Sequence, residues 1–573
     1  MRPDDLLRRR ISDFFGSAEI SFSISAPESN FGDYATNAAL VAAKAQKQQP
    51  MAIAEKLALL LNNDPEIKKC FSEINAVKPG FINARLSEGY LLSVLKSVNE
   101  HPEAFGARPE KKEGLVLVEY FQLNVAKPPH VGHLRSAVIG DSLKRVFKAL
   151  GYKTVSDTHI GDWGTQFGIL LWAYKNLNGR EKVKDNPLEE LNGLYVEANN
   201  LIEQNPDIRE KAKAEFAELE LGDRENRKLW QFFISVSDKE FKKMVSQLKL
   251  LPFEYHLGES FFEKLMPEVL EKLGSKGLLK TGETGERYVD LEAYNLGRFI
   301  AIKTDRATTY GLRDLAALYY RYEILPKKEK AELLKNIYVV DNRQSHHLAQ
   351  AFKVFELMND HDAVKSVHVD FGFMSLPEGA ISTRKGNTIS LEKLLDEANR
   401  RALDIINEKN PGLNKKEEVA KMVGLGAIKY ADLSHNRKQD LVFRWDEVLN
   451  FDGDTGPYLQ YTHARLKSIL RRADINVKKV DYEKLGEAEV KILRALVHFP
   501  EIVERTAAEF MPNILAKYLY ELASAANNFY HSAPVLQEQN EDLKKLRLAV
   551  VAGVATVLQN GLYLLGIDAP EEM

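Results

Sequence analysis

A chain of 573 residues, 44% hydrophobic and 28% charged, has the composition of a soluble globular protein and enough length for several domains. Its 79 basic and 82 acidic residues leave a net charge of -3, so the total announces no nucleic acid, although a basic face can sit inside a neutral sum. The single cysteine, Cys70, excludes an intramolecular disulfide framework and a cysteine-built metal cluster, and reads as a buried, inert thiol. The opening MRPDDLLRRRISDFF lacks the long apolar segment of a secretory signal. The most apolar stretch, AVVAGVATVLQNGLYLLGI, is interrupted by Gln559 and Asn560, and its period suits a buried helix better than a membrane span. A cytoplasmic protein without a membrane segment is the expectation.

Residues 1–110 read as a small α/β unit. AIAEKLALLLNN and LSEGYLLSVLKSVNE have helical periodicity, and ISFSISAP and NAVKPGFINARLS look like short strands. HPEAFGARPEKKEG, polar and rich in turn formers, is the expected linker. GLVLVEYF (114–121) is a buried strand, and QLNVAKPP the loop after it. HVGHLRSAVIGDSLKRVFKAL is a helix with Val138, Leu143, Val146, Phe147 and Leu150 on one broad side, stopped by Gly151. YKTVSD is a second strand, which makes a βαβ unit and hence a parallel sheet. About 180–300 is a charged insertion with helical segments and a hairpin, LLKTGETGERYVDL. The sheet resumes in KNIYVVDNRQSHHLAQAFKVFELM and VKSVHVDFGFM, before the polar loop PEGAISTRKGNTISLEKLL. From about 400 onward almost everything reads helical, as a separate domain.

In an open parallel sheet, ligands bind beyond the carboxyl ends of the strands. Lys127, His130, Gly132 and His133 fall there, at a helix start whose free N–H groups attract anions. Gly132 lets a bulky anion approach the backbone, and the two imidazoles with the Lys127 ammonium suit a polyphosphate that gains charge under attack. H-x-x-H could equally be two zinc ligands, but His159, His346 and Asp157 cannot be placed beside it from sequence, so phosphate contact is preferred. No P-loop, G-x-G-x-x-G or G-x-S-x-G segment occurs where one would be needed. STRKGN (382–387), with Ser382, Thr383, Arg384 and Lys385, is a second anion-friendly loop.

HVGH resembles the HIGH signature of class I aminoacyl-tRNA synthetases. NVAKPPHVGHLRSAVIGDSLKR, HIGDWGTQFG, TTYGLRDLAA, STRKGNTISL and FDGDTGPYLQYTHARLKSIL are similar to the arginyl-tRNA synthetase family in particular, as are FGDYATNAALVAAK, GFINARLS and GLYLLGIDAPEEM. The resemblance runs in order through essentially the whole chain. It implies a Rossmann-like parallel-sheet catalytic domain (111–400) between an N-terminal α/β tRNA-binding module (1–110) and a C-terminal all-helical anticodon-binding domain (401–573). It implies that arginine is activated by ATP and passed to the 3′ end of tRNA(Arg), with tRNA needed even for the first step. Mg²⁺ would be carried mainly by ATP, no protein metal cage is expected, and the enzyme would act as a monomer.

By the same resemblance, His130, His133, Lys127 and Lys385 would be catalytic. Glu119, Asn124, His130, Tyr310, Asp314 and Gln344 would bind arginine, the two carboxylates meeting its guanidinium. Lys127, His130, Gly132, His133, His347, Ser382, Arg384 and Lys385 would bind ATP, while Tyr458, Arg465, Tyr530 and Met573 would contact tRNA. One of these stands out without any family: Glu119 is a carboxylate closing an apolar strand and needs a partner. Against those assignments, the tyrosines at helical spacing have the ordinary reading of core, and Asp314 that of a helix start beside an arginine. The chain departs from the family pattern at FQLN, where Phe121 and Gln122 replace small residues. It departs again at AIS, where Ala380 stands for the signature lysine that Lys127 is thought to replace, and at Asp341, in place of a glycine. Two rivals remain: an adenylyl-transferring enzyme with a small-molecule acceptor, and a non-enzymatic RNA-binding relative.

Overall fold

The apolar run after the linker forms β1 (Leu115–Glu119), buried along its whole length. A helix, α1 (Val131–Ala149), leads from it to β2 (Lys153–Asp157). After the insertion come α2 (Tyr310–Tyr319), β3 (Leu333–Asp341), α3 (Ser345–Asn359) and β4 (Ser366–Phe371). The four strands make one parallel sheet, as expected, and their order is β4-β3-β1-β2. Leaving the centre of the sheet, β1 runs to one side through α1, and β3 runs to the other through α3. The carboxyl ends of β1 and β3 therefore flank a crevice, the place where an open α/β sheet takes its ligand. This computed structural model describes residues 2–16, 20–27, 31–107, 111–304, 308–359, 365–375, 390–473 and 484–573.

The chain divides into two compact units. The larger comprises Ala107–Tyr461, Ile502–Lys517 and Gly561–Met573 and contains the parallel sheet. Its insertion includes the expected hairpin, Leu279–Thr281 with Arg287–Asp290, joined antiparallel by Arg298–Ile302. Beyond residue 390 the described segments are helical except for Leu441–Val442, which pairs with Met374–Ser375. The smaller unit, Met1–Gly106 with Thr462–Glu501 and Tyr518–Asn560, holds a four-stranded antiparallel sheet and buries Cys70. Glu541–Leu564 is long and apolar enough to cross a membrane, yet 67% of its most apolar window is buried, as befits a core helix.

One expectation needs correcting. Helix α1 has no single apolar side: residues 134–147 are all buried, including four ions. They are accommodated because each has an internal partner. Arg135 meets Asp432 at 3.1 Å, Arg145 meets Asp141 at 2.7 Å, and Lys144 meets Glu254 at 2.7 Å. Lys429 also lies close by, wholly buried, and donates to the Gly566 carbonyl at 2.6 Å. Gly566 has φ +70°, and a Cβ there would come within 2.8 Å of Asp141 Oδ2 and 3.1 Å of Lys429 Nζ. Gly566→Ala is therefore expected to lose about 1–3 kcal/mol in chemical denaturation, from left-handed strain plus displacement of a buried ion.

Candidate functional site

A cavity of about 660 Å³ opens at the crevice between β1 and β3. It gathers most of the residues singled out in the sequence: Glu119, Asn124, His130, Gly132 and His133 from the β1–α1 side, with Tyr310, Asp314, Gln344 and His347 facing them. Lys127 does not line it. Its ammonium sits 5.0 Å from the centre of the Tyr195 ring, and burial pulls its pKa down. Ser382, Arg384, Lys385 and Ala380 lie outside the described residues.

At the start of α1 the two histidines cap the helix. His130 is the N-cap, and its Nδ1 accepts from the Gly132 amide at 3.1 Å. His133 Nδ1 in turn accepts from the His130 amide at 3.1 Å, which completes a capping box built of imidazoles. A nitrogen that accepts carries no proton, so each neutral ring holds its proton on Nε2. Burial, reinforced by neighbouring positive charge, lowers the pKa of His130, and burial takes His133 down to about 3. At neutral pH the pair is thus two uncharged N–H donors of fixed tautomer.

Gly132, which lines the cavity, is also part of this cap. Its amide is committed to His130, and the His133 amide bonds the His130 carbonyl at 2.8 Å. A Cβ on Gly132 would lie 2.8 Å from the His130 ring. The glycine makes room for the imidazole. The cap also predicts a pH effect. A histidine with a lowered folded pKa contributes stability that is full above its unfolded value near 6.5 and is lost as pH falls toward 3. His133→Asn, whose amide oxygen can replace Nδ1 as acceptor, is expected to flatten that acid-side loss in denaturation curves taken from pH 7 to 4.

The other side of the cavity is acidic. Glu119 pairs in register with Asp157 on β2 and Tyr338 on β3, so two carboxylates stand side by side at the strand ends. The cation that the sequence left unnamed is Arg321, buried, with Nη2 at 2.5 Å from Glu119 and 3.2 Å from Asp157. It comes from a π-helical turn, Tyr320–Ile324, that continues α2. Gln122, one of the departures from the family pattern, donates to Glu119 at 3.1 Å, whereas Phe121 turns into the core against Phe241.

Asp314 does not pair with its neighbour Arg313, which reaches Glu259 at 3.1 Å instead. It receives His347 Nε2 at 2.6 Å and has His159 Nε2 at 3.6 Å. His347, expected at the nucleotide, therefore sits at the carboxylate side. Burial alone would lower the pKa of His159, but Glu119, Asp314 and Asp157 around it raise it. Glu259 also lines the cavity, and burial raises its pKa. Tyr310 is 60% exposed, with its ring 4.6 Å from that of His347. Asn124 is held against Gly161, where a Cβ would lie 2.7 Å from its Oδ1.

Sequence reasoning missed Arg321, Glu259, Arg343 and the cavity role of His159. Only His159 carried a visible signal, standing first in the quoted HIGDWGTQFG block, and it has φ +42°. Among the described residues no group of three or more His, Cys, Asp or Glu is placed to hold a metal ion. None of the residues expected to meet tRNA lines the cavity. Tyr458 is half-buried, Arg465 stacks 4.7 Å over the Tyr530 ring, and the Met573 carbonyl accepts from Asn410 at 3.2 Å. A further cation of the helical region, Arg494, is engaged with buried Asp33 at 3.0 Å.

Comparison with known proteins gives three family matches in chain order. They are an arginyl tRNA synthetase N terminal domain over residues 4–86, the catalytic domain of tRNA synthetases class I (R) over 95–445, and a DALR anticodon binding domain over 459–573. The arginine–tRNA ligase of Halothermothrix orenii is 38% identical over 572 residues, covering 99% of this chain and 98% of the relative. Among solved structures, the arginyl-tRNA synthetase of Plasmodium falciparum superposes with a TM-score of 0.84 at 27% identity, covering 100% of this chain and 98% of that one. The Thermus thermophilus arginyl-tRNA synthetase gives 0.80 at 27% identity, covering 100% and 99%.

Proposed function

This chain belongs to the arginyl-tRNA synthetase family of class I synthetases, and on that premise we propose how its residues share the work. The reaction joins L-arginine to ATP, releasing pyrophosphate, and then passes the arginyl group to the 3′ end of tRNA(Arg), releasing AMP. The observation that carries the residue assignment is one cavity with carboxylates on one side and two neutral imidazole donors at the other.

Glu119 and Asp314 supply the countercharge for the guanidinium of arginine. Glu119 is already shared with Arg321, so Asp314 provides the larger uncompensated part. Asn124 and Gln344 address the α-amino and carboxylate groups, and Tyr310 closes one wall. His130 and His133 donate from Nε2 to phosphate oxygens. The arginine carboxylate attacks the α-phosphorus, the bond to the β-phosphate oxygen breaks, and charge builds on departing pyrophosphate. No protein base is needed, and the residues align the reactants and stabilise that charge. Mg²⁺, carried mainly by the triphosphate, would neutralise phosphate charge, because no cluster of ligands among the described residues is built to hold it.

Lys127 acts on this site through its field on His130. Lys127→Ala is expected to lower the single-turnover rate of adenylate formation several-fold while changing the arginine requirement little, and an unchanged rate would remove Lys127 from the mechanism. Lys385, Arg384 and Ser382 would meet the phosphates from the second loop. Tyr458, Arg465, Tyr530 and Met573 would serve tRNA. A cytoplasmic monomer of 64.9 kDa is proposed, and light scattering reads its mass directly.

The test is exchange of labelled pyrophosphate into ATP, with each amino acid in turn, with and without tRNA(Arg). Exchange with arginine alone, dependent on tRNA, is the expected result. Exchange with another amino acid, or none beside tight tRNA binding, overturns the assignment.

A further inference from the structure

We propose that Arg343 is a further phosphate-binding residue of this site, holding the pyrophosphate part of ATP from the carboxyl end of β3 while His130 faces it from the start of α1. The inference rests on the adenylation reading above and adds a residue to it. Among the described residues lining the cavity, the permanent cations are Arg135 and Arg343. Arg135 is 1% exposed and committed to Asp432 and to the carbonyls of Gly372 and Gln439. Arg343 has a side chain 69% exposed, on the turn Asn342–Gln344 that follows β3.

That exposed side chain is nevertheless fixed. Its Nε and Nη2 donate to the two oxygens of Asp341 at 2.8 and 2.9 Å, and its backbone amide donates to the same carboxylate at 2.8 Å. Its guanidinium carbon lies 4.6 Å from the centre of the Phe373 ring. Two of the three nitrogens and one face are thereby held, and Nη1 makes neither of those bonds. A planar donor fixed in this way loses little freedom when it donates to a phosphate oxygen. Its charge already reaches the site, since it contributes to lowering the pKa of His130.

The chemistry selects which anion this cation serves. Arginine's carboxylate is the nucleophile, and a guanidinium bound to it would weaken its attack. Pyrophosphate gains negative charge as it leaves, so a cation there stabilises the transition state more than the ground state. Asp341 then has a use: it aims Arg343.

The full-length protein with tRNA(Arg) is assayed in both directions of pyrophosphate exchange. Arg343→Ala is expected to raise the KM for ATP and for pyrophosphate roughly ten-fold, with the arginine KM and inhibition by adenosine changed less than about two-fold. Arg343→Lys should recover much of the loss. Asp341→Ala, which frees the guanidinium without deleting it, should harm both constants less than Arg343→Ala. Unchanged constants for ATP and pyrophosphate overturn the proposal. So does an equal rise in the arginine KM, or equal damage from the two alanine variants, either of which makes the pair a mere turn brace. Wild-type exchange with arginine in the same assay separates failure of this inference from failure of the adenylation reading.

Discussion

Asp314→Asn raises the arginine concentration needed for half-maximal exchange by roughly 30- to 1,000-fold, and the ATP requirement far less. The range follows from removing one partner of a partly desolvated, hydrogen-bonded ion pair, about 2–4 kcal/mol. The asparagine keeps the shape and can still bond His347, which meets the native carboxylate at 2.6 Å. What it loses is charge, on which the proposed contact to the guanidinium of arginine depends, as does part of the upward shift of His159. Glu119 cannot substitute, because its carboxylate is shared with Arg321 at 2.5 Å. Equal effects on the two substrates would place Asp314 in the scaffold instead of the arginine pocket.

Arg321→Met costs about 3–5 kcal/mol of stability in the unit that holds the parallel sheet, because it leaves Glu119 and Asp157 buried side by side without their cation. Adding Glu119→Gln to that variant should return a large part of the loss, and the double-mutant cycle measures the coupling. A loss below about 1 kcal/mol from the single substitution would show the charge cluster to be solvated, against its burial. The same substitution is expected to weaken arginine binding if, as proposed, Glu119 is one of the two carboxylates for the guanidinium, since Arg321 holds it.

Much of this was legible before folding. The run LVLVE carries no alternation because both faces of the central strand are covered, and it was read as buried for that reason. Glu119 declared its need for a partner by closing that run. The helix start at HVGH, the second strand and the hairpin of the insertion followed from local pattern. The burial of α1 on every side did not, because its apolar residues read as one broad side until Asp432 and Glu254 arrive from distant segments to pair its charges.

The part Gly132 plays in the cap was not legible, for a local reason. Helix caps are ordinarily Ser, Thr, Asp or Asn, so a cap built of two imidazoles has no familiar signature, and a glycine beside it looks like an opening for an anion.

The residues read in order already indicated a parallel sheet, imidazoles at its ligand-binding edge and, through a family pattern from end to end, the carboxylates expected to meet a guanidinium. The strand, the helix start and its imidazoles depend on spacing within a few residues, which covalent geometry enforces. Folding decided which charges are available. It joined Arg321 to Glu119 across 202 positions of chain, turned Lys127 toward Tyr195, and left Arg343 at the mouth of the cavity with one nitrogen to offer. Such pairings are set by long-range contacts in a low-dielectric interior, where an ion must find its partner wherever the chain brings one.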